Sequence, residues 1–218
     1  MAAAAQDELG ALVQSLPFND ANSFRRKGGR RVHRFDHGLV APARDGPLVF
    51  PYQTLRIYRE ETHHLHQNRR TVDYIGVQWV FQREDGQVWK NLLQRRPQDP
   101  IDPLIGMYEQ ALSATCVEQR DEVLQRLADG ATLSFGPVEF DVSQIKIGTQ
   151  DAPWSDVTGV AVEAGALAVR AKPVAPHPWI KELDLRTPLA GIPNFPLLWQ
   201  LVQLLHRQAS PGNPDVNP

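Results

Sequence analysis

The sequence Phe35-Asp36-His37-Gly38-Leu39-Val40, followed by Phe50-Pro51-Tyr52-Gln53-Thr54-Leu55, carries the strongest architectural signal of this chain. Later in the chain, Phe140-Asp141-Val142-Ser143-Gln144-Ile145 precedes Ala152-Pro153-Trp154-Ser155-Asp156-Val157 in a similar order. An internal repeat is weighed first because it sets the architecture of the whole chain. This repeat predicts two copies of one small β-rich module, each closed by a helical segment. It indicates how the protein is built and does not indicate an activity.

Composition and charge are those of an ordinary globular protein. The 218 residues are 42% hydrophobic and 22% charged, and their formal net charge is -2, so no overall field attracts nucleic acid. A single cysteine, Cys116, excludes an intrachain disulfide, which agrees with a reducing compartment. No stretch reaches the roughly 20 apolar residues of a membrane span, and the N-terminus lacks the pattern of a secretory signal. These features predict a soluble, cytoplasmic protein.

The N-terminal segment predicts a short amphipathic helix over residues 2–16. Its apolar residues recur at the spacing of one helical face: Leu9, Leu12, Val13 and Leu16. Pro17 and the turn-forming residues after it would end the helix. Residues 1–24 are therefore predicted to be an amphipathic helix and a linker.

Two modules are predicted to follow this segment. Residues 25–130 contain alternating apolar patterns with short turns, and then a helical pattern that starts after Pro103. Residues 131–209 repeat the scheme with shorter strands and a last helix that opens near Asn194. Residues 210–218 are rich in proline, asparagine and glycine and are predicted to be disordered.

Short, structural motifs are scattered along the chain: Phe35 to Val40, Phe50-Pro51-Tyr52, Asn68, Asp85-Gly86, Phe135-Gly136-Pro137, Pro153-Trp154, Trp179 and Ile192-Pro193-Asn194. They resemble the motifs of an uncharacterised bacterial family that is common in actinobacteria and other soil bacteria and carries tandem pleckstrin-homology-like (PH-like) domains. The resemblance covers roughly residues 30–207, and the sequence departs from it at Tyr52, where a Trp is expected.

This resemblance implies an α+β fold of two tandem PH-like antiparallel β-barrels, each capped by a C-terminal helix, with the N-terminal helix in addition. The family brings no established catalytic residues, so the prediction names no catalytic residue and no cofactor. We expect a non-enzymatic binding or scaffolding protein that engages a protein or peptide partner. PH-like folds often leave a groove between the helix and a sheet edge, where a partner peptide can add a strand.

A basic segment supplies an alternative function. Its cationic residues are candidate ligand-binding residues: Arg25, Arg26, Lys27, Arg30 and Arg31. Several cations near an anionic membrane surface contribute roughly 1 kcal/mol each, so peripheral binding to acidic lipid is one interpretation. A solvated linker is the simpler interpretation. Nucleic-acid binding is not expected, because the run is short and has few aromatic neighbours.

A histidine cluster supplies a second alternative, a metal-binding protein or a metal-dependent enzyme. On a strand, His64 and His66 would point to one face and His63 to the other. Two imidazoles can share a zinc or copper ion, but a stable site needs three or four ligands. The simpler interpretation is a polar hairpin tip. The sequence does not indicate the oligomeric state.

Overall fold

A computed structural model describes residues 8–18, 30–65, 71–173 and 182–210. The chain divides into two compact units, Met1–Gln119 and Arg120–Pro218. Every sheet is antiparallel, and each unit has one four-stranded and one three-stranded sheet. The described part of the chain is therefore β-rich, as the alternating apolar pattern predicts.

In both sheets of unit 1 the strands lie side by side in the order in which they follow along the chain. Its four-stranded sheet has the order β1 (Leu12–Pro17), β2 (Arg31–Phe35), β3 (Gly38–Ala43) and β4 (Gly46–Pro51). Its three-stranded sheet has the order β5 (Arg56–Leu65), β6 (Val72–Gln82) and β7 (Val88–Arg95). Short turns join most neighbouring strands, so each strand pairs with its neighbour in sequence.

Unit 2 has the same succession of sheets with shorter strands. Its four-stranded sheet contains β8 (Leu133–Phe135), β9 (Val138–Phe140), β10 (Gln144–Ile147) and β11 (Gln150–Pro153). The short 3-10 helix Trp154–Asp156 leads into β12 (Val157–Glu163), β13 (Ala166–Ala171) and β14 (Leu183–Pro188), which form the three-stranded sheet. A second 3-10 helix, Leu189–Gly191, follows β14.

Two α-helices are described, and both were expected from the sequence. Helix α1 (Pro103–Ala128) begins at the predicted proline, and Gly130 follows it with a φ of 81°. Helix α2 (Phe195–Ala209) begins after Asn194, whose carbonyl accepts the N–H groups of Leu197 and Leu198. The division between the two units falls inside α1. Neither helix is long and apolar enough to cross a membrane, and this holds for all the residues that the structure describes.

Aromatic side chains dominate the core of unit 1. Residues from both sheets and from the first half of α1 share one buried cluster. Tyr108 of α1 meets Phe81 and Trp79 edge-on, at centroid distances of 5.1 Å and 5.6 Å. Such edge-to-face pairs are worth about 0.5–1.5 kcal/mol beyond their buried area. Tyr108 therefore fastens α1 to the three-stranded sheet.

The predicted pair of closed barrels is wrong, because the described residues form four separate sheets, none of which closes on itself. At the junction of β4 and β5 the chain makes a turn in which Tyr52 and Leu55 are buried. The Gln119 side-chain amide donates to the carbonyls of Tyr52 and Leu55, at 2.8 Å and 2.9 Å. A helix side chain thus satisfies two carbonyls of the turn at which the chain passes from one sheet to the next.

The predicted N-terminal helix is also wrong from Gly10 to Leu16. Glu8 and Leu9 are helical, but Gly10 adopts a φ of 80°, and residues 12–17 form β1, which pairs with β2. Leu9 packs against Phe35, so the apolar residues are divided between two environments instead of one helical face. Pairing with β2 satisfies the backbone hydrogen-bonding groups of this segment, and an amphipathic pattern of side chains carries no information about such pairing. Residues 2–7 lie outside the described part.

Candidate binding groove

A groove of about 480 Å³ runs along β7, the last strand of its sheet in unit 1. One wall is β7 itself, from Trp89 to Leu92, together with Gln78 of the neighbouring β6. The residues of the opposite wall come from the end of β3 and from the segments that flank β1 and β2: Phe18, Arg30, Pro42, Ala43 and Arg44. Within the described residues β7 pairs with β6 alone. The groove therefore follows a strand that has one unpaired edge.

The aromatic floor of the groove is held in place by the backbone around it. The Trp89 indole nitrogen donates a hydrogen bond to the carbonyl of Pro42 at 3.1 Å, and the indole is only 7% exposed. The Phe18 ring lies 5.4 Å from the Trp89 ring, at a tilt of 54°. Phe18 is fixed in turn by its own N–H, which donates to the Arg30 carbonyl at 2.9 Å. The floor is consequently preformed.

A buried polar pair supports the floor from below. The Asn91 amide donates to the Tyr108 hydroxyl at 2.9 Å, and both side chains are buried. Burial raises the pKa of Tyr108, and the hydrogen bond from Asn91 opposes that rise. The phenol therefore stays neutral and acts as a structural partner. This pair fixes the β7 backbone at the middle of the groove.

Three cationic side chains line the groove: Arg30, Arg44 and Lys90. Arg44 and Lys90 are exposed, and Arg30 is half-buried. None of the described lining residues is acidic. The groove therefore combines a strand edge, an aromatic floor and an excess of positive charge, which favours an anionic ligand.

The structure divides the predicted basic segment. Arg30 lines the groove, whereas Arg31 ties β2 to β1: its guanidinium donates to the Ser15 hydroxyl and to the Ser15 carbonyl, both at 2.7 Å. Arg25, Arg26 and Lys27 lie outside the described residues. Of the two described members of the segment, one belongs to the groove and the other stabilises a strand pair.

Sequence reasoning missed Arg44, Trp89 and Lys90. None of the three belongs to a motif that the sequence analysis singles out. Their proximity depends on the contact between the end of β3 and β7, which the Trp89–Pro42 hydrogen bond records. The one available signal was local: Lys90 stands between Trp89 and Asn91 on a strand, so it points away from the core that they enter.

The predicted histidine cluster is spread over two faces of β5. The His63 Nε2 lies 2.8 Å from the Glu61 Oε1, and this hydrogen bond holds the pKa of Glu61 below its usual value. His64 stacks instead on Tyr74 of β6, at a centroid distance of 4.1 Å. His66 lies outside the described residues. Among the residues that are described, no group of three or more His, Cys, Asp or Glu side chains is arranged to hold a metal ion.

The resemblance to a bacterial family stays an expectation. No family model matches the sequence, and neither a curated protein nor a solved structure matches it.

Proposed function

We propose that this protein is a non-enzymatic binding protein that holds an acidic, extended peptide segment of a partner protein in the β7 groove. The observation that carries the proposal is that, among the described residues, an unpaired strand edge lies along a groove lined by three cations and no acid. An enzyme would require a set of side chains able to act as nucleophile, acid or base, and the described lining of the groove offers cations, amides and aromatic rings instead.

The strand edge favours an extended ligand. A peptide that adds to β7 would gain main-chain hydrogen bonds, and its alternate side chains would point into the groove and away from it. The floor formed by Trp89 and Phe18 is apolar and suits a β-branched or aromatic side chain of the ligand. Because Trp89 is already fixed by Pro42, binding costs little side-chain entropy.

The cations favour acidic residues in that peptide. Arg44 and Lys90 are exposed, so each contributes less than about 1 kcal/mol in a single ion pair. Their larger effect is on the rate of encounter and on the rejection of basic ligands. We therefore expect modest affinity that weakens as salt is added.

Fluorescence anisotropy with labelled peptides tests the proposal on the full chain. The probe is a peptide of about six alternating Glu and Val residues, and the comparison peptide has Lys in place of Glu. We expect the Glu peptide to bind about tenfold more tightly than the Lys peptide. Two further Glu peptides carry N-methylated amides, one along each edge of the extended backbone, so that the methylated edge cannot donate hydrogen bonds to a strand. We expect at least one of these two peptides to lose binding.

Paired variants locate the binding. The Arg44→Glu/Lys90→Glu variant should weaken binding of the Glu peptide about tenfold. The control, Arg56→Glu/Arg96→Glu, makes the same change in net charge at exposed residues of unit 1 that do not line the groove, and it should bind like the wild type. Equal losses in the two variants would contradict a site at the groove.

The same variants separate a peptide ligand from an anionic membrane surface. Vesicles that contain phosphatidylserine are floated with the wild type, the groove variant and the control variant. If the wild type floats with the vesicles and ignores the Glu peptide, the peptide proposal is wrong and the lipid alternative replaces it. Peptide binding without flotation supports the proposal.

A further inference from the structure

A second groove, of about 290 Å³, lies in unit 2 between the last turns of α1 and the exposed side of α2. Helix α1 contributes two residues to it and α2 contributes the others: Arg120, Leu124, Leu197, Gln200, Leu201, Gln203, Leu204 and Arg207. Its walls are helices, so it offers no strand edge to an extended peptide. This distinguishes it from the groove along β7.

The floor of this helical groove is a stripe of leucines. Leu197, Leu201 and Leu204 follow one another at i, i+4 and i+7 along α2, which places them on one face. Leu197 and Leu201 are buried, whereas Leu204 is 41% exposed. Leu124 of α1 faces them across the groove and is half-buried. The stripe thus continues from the core of unit 2 out to solvent.

The rim of the helical groove is positively charged. Arg120 and Arg207 are exposed, and none of the lining residues within the described part of the chain is acidic. The two glutamines, Gln200 and Gln203, add neutral hydrogen-bonding groups. An apolar floor between two guanidinium groups complements a ligand that is apolar on one side and acidic on its flanks.

We infer that the helical groove binds an amphipathic helix of a partner protein that carries leucine-like residues on one face and carboxylates beside them. Two helices at contact distance present ridges and grooves into which a third helix packs. Anchors at i, i+3 or i+4 and i+7 of the partner would match the leucine stripe. The site is independent of the β7 groove, because it uses different residues and a different mode of recognition.

Two other occupants fit less well. A second copy of this chain, docked through the same patch on both molecules, would bring two positively charged rims together. A small molecule usually occupies a pocket of about 300–1,000 Å³ that encloses most of its surface, and this groove is at the lower limit and open along its length. Charge and shape therefore both point to a helix of a different protein.

Labelled model helices test the inference by fluorescence anisotropy on the full chain. The probe is a peptide of about 18 residues, long enough to be helical, with Leu at i, i+4 and i+7 and Glu on both flanks. The matched peptide has Lys in place of every flanking Glu. We expect the wild type to bind the Glu helix at least tenfold more tightly than the Lys helix. Equal binding of the two peptides would overturn the inference.

A charge reversal makes the test specific to the rim. In Arg120→Glu/Arg207→Glu the preference should invert, so that the Lys helix binds better than the Glu helix. The control, Arg126→Glu/Lys172→Glu, changes the net charge equally at exposed residues of unit 2 outside the groove and should keep the wild-type preference. A preference that shifts equally in both variants would contradict the assignment, because it would reflect net charge alone.

The floor is tested at its exposed residue, where a substitution leaves the core intact. Leu204→Asn should weaken binding of the Glu helix about tenfold, whereas Val162→Asn, also at an exposed apolar residue, should not. Sedimentation velocity tests the remaining possible occupant, a second copy of the chain. Wild type that self-associates, and loses that association in Leu204→Asn without binding either peptide, would replace the partner helix with a second copy of the chain.

Discussion

The His37 Nδ1 lies 2.7 Å from the Glu118 Oε1, so a turn of the four-stranded sheet is joined to α1 by one ionisable contact. His37 is the second of the two residues between β2 and β3, and its side chain is 62% exposed, whereas that of Glu118 is 19% exposed. The hydrogen bond and the charge of Glu118 raise the pKa of His37, and Asp36 adds a smaller effect in the same direction. The contact therefore depends on pH in the range where histidine titrates.

We predict that this contact stabilises the protein below pH 6.5, the ordinary pKa of histidine, and fades at higher pH. A raised pKa in the folded state means that the folded protein retains the proton longer than the unfolded chain does. The stabilisation is complete below pH 6.5 and disappears as the pH rises through the raised value. Thermal melting of the wild type and of His37→Gln should differ on the acidic side and converge on the alkaline side.

Glu118→Gln should have the same effect on the pH profile, because it removes the charge that favours the imidazolium. A variant that changes Glu122, an exposed acid on the same helix, is the matched control. If Glu118→Gln leaves the wild-type profile unchanged while His37→Gln alters it, the partner of the imidazolium is not Glu118.

A second histidine should act in the opposite direction. His206 of α2 is buried, and burial lowers its pKa, although a backbone hydrogen bond to Val157 partly opposes this. The unfolded chain then takes up the proton first as the pH falls below 6.5, so stability is present above that pH and is lost on the acidic side. His206→Gln should reduce the acid-side loss of melting temperature without changing the alkaline side.

Some acid sensitivity should remain in His206→Gln. Burial and the charge of Arg31 lower the pKa of His33 as well, so His33 contributes with the same sign. The melting temperature of the double variant His33→Gln/His206→Gln should therefore depend less on pH than that of either single variant between pH 6.5 and mildly acidic pH. An acid-side slope in the double variant equal to that of the wild type would show that carboxylates alone govern it.

The Asn91–Tyr108 hydrogen bond should be costly to break from one side. Tyr108→Phe leaves the buried Asn91 amide without its acceptor, and we expect the free energy of unfolding to fall by about 1–3 kcal/mol in urea denaturation. Tyr58→Phe removes a hydroxyl that is only half-buried and donates to Gln82 at 3.2 Å, so its cost should be smaller. Asn91→Leu combined with Tyr108→Phe should recover part of the loss, because no polar group is then left unpaired.

A methyl group at Gly38 should destabilise unit 1. A Cβ there would stand 2.6 Å from the Leu9 Cδ2 and 2.8 Å from the Phe50 carbonyl oxygen, and the backbone oxygen cannot move aside cheaply. We expect Gly38→Ala to cost about 1–3 kcal/mol in urea denaturation. Gly106→Ala in α1 meets open space and should stabilise by about 0.5–1 kcal/mol, which makes it the control. A neutral Gly38→Ala would mean that the four-stranded sheet relaxes around the methyl group.

The two helices and most strands could be predicted because their signals are local. Pro103 and Gly130 mark the ends of α1, and the β-branched and aromatic run from Val72 gives β6 almost residue by residue. Gly38 is less predictable, because its role is close packing against Leu9 and Phe50 and its φ is not positive. A sequence shows that a glycine is present, but it does not show which atoms pack closely against it in the fold.

The failures concern hydrogen bonds between segments that are distant in sequence. Leu9, Leu12, Val13 and Leu16 satisfy a helical period, yet pairing with β2 makes a strand of residues 12–17. Barrel closure likewise depends on edge pairing, and an alternating pattern describes the faces of a sheet without describing its edges. The β7 groove was missed for the same reason, since Arg30, Arg44 and Lys90 meet only through the tertiary fold.

The open edge of β7 also bears on how copies of this protein behave at high concentration. An unpaired strand is a template for edge-to-edge aggregation, and natural sheets discourage it with charged side chains along the edge. Arg44 and Lys90 stand where a second copy would have to approach, so the charges that favour an acidic ligand also repel a molecule of the same kind. Neutralising both would remove a gatekeeper and expose the strand to amyloid-like pairing.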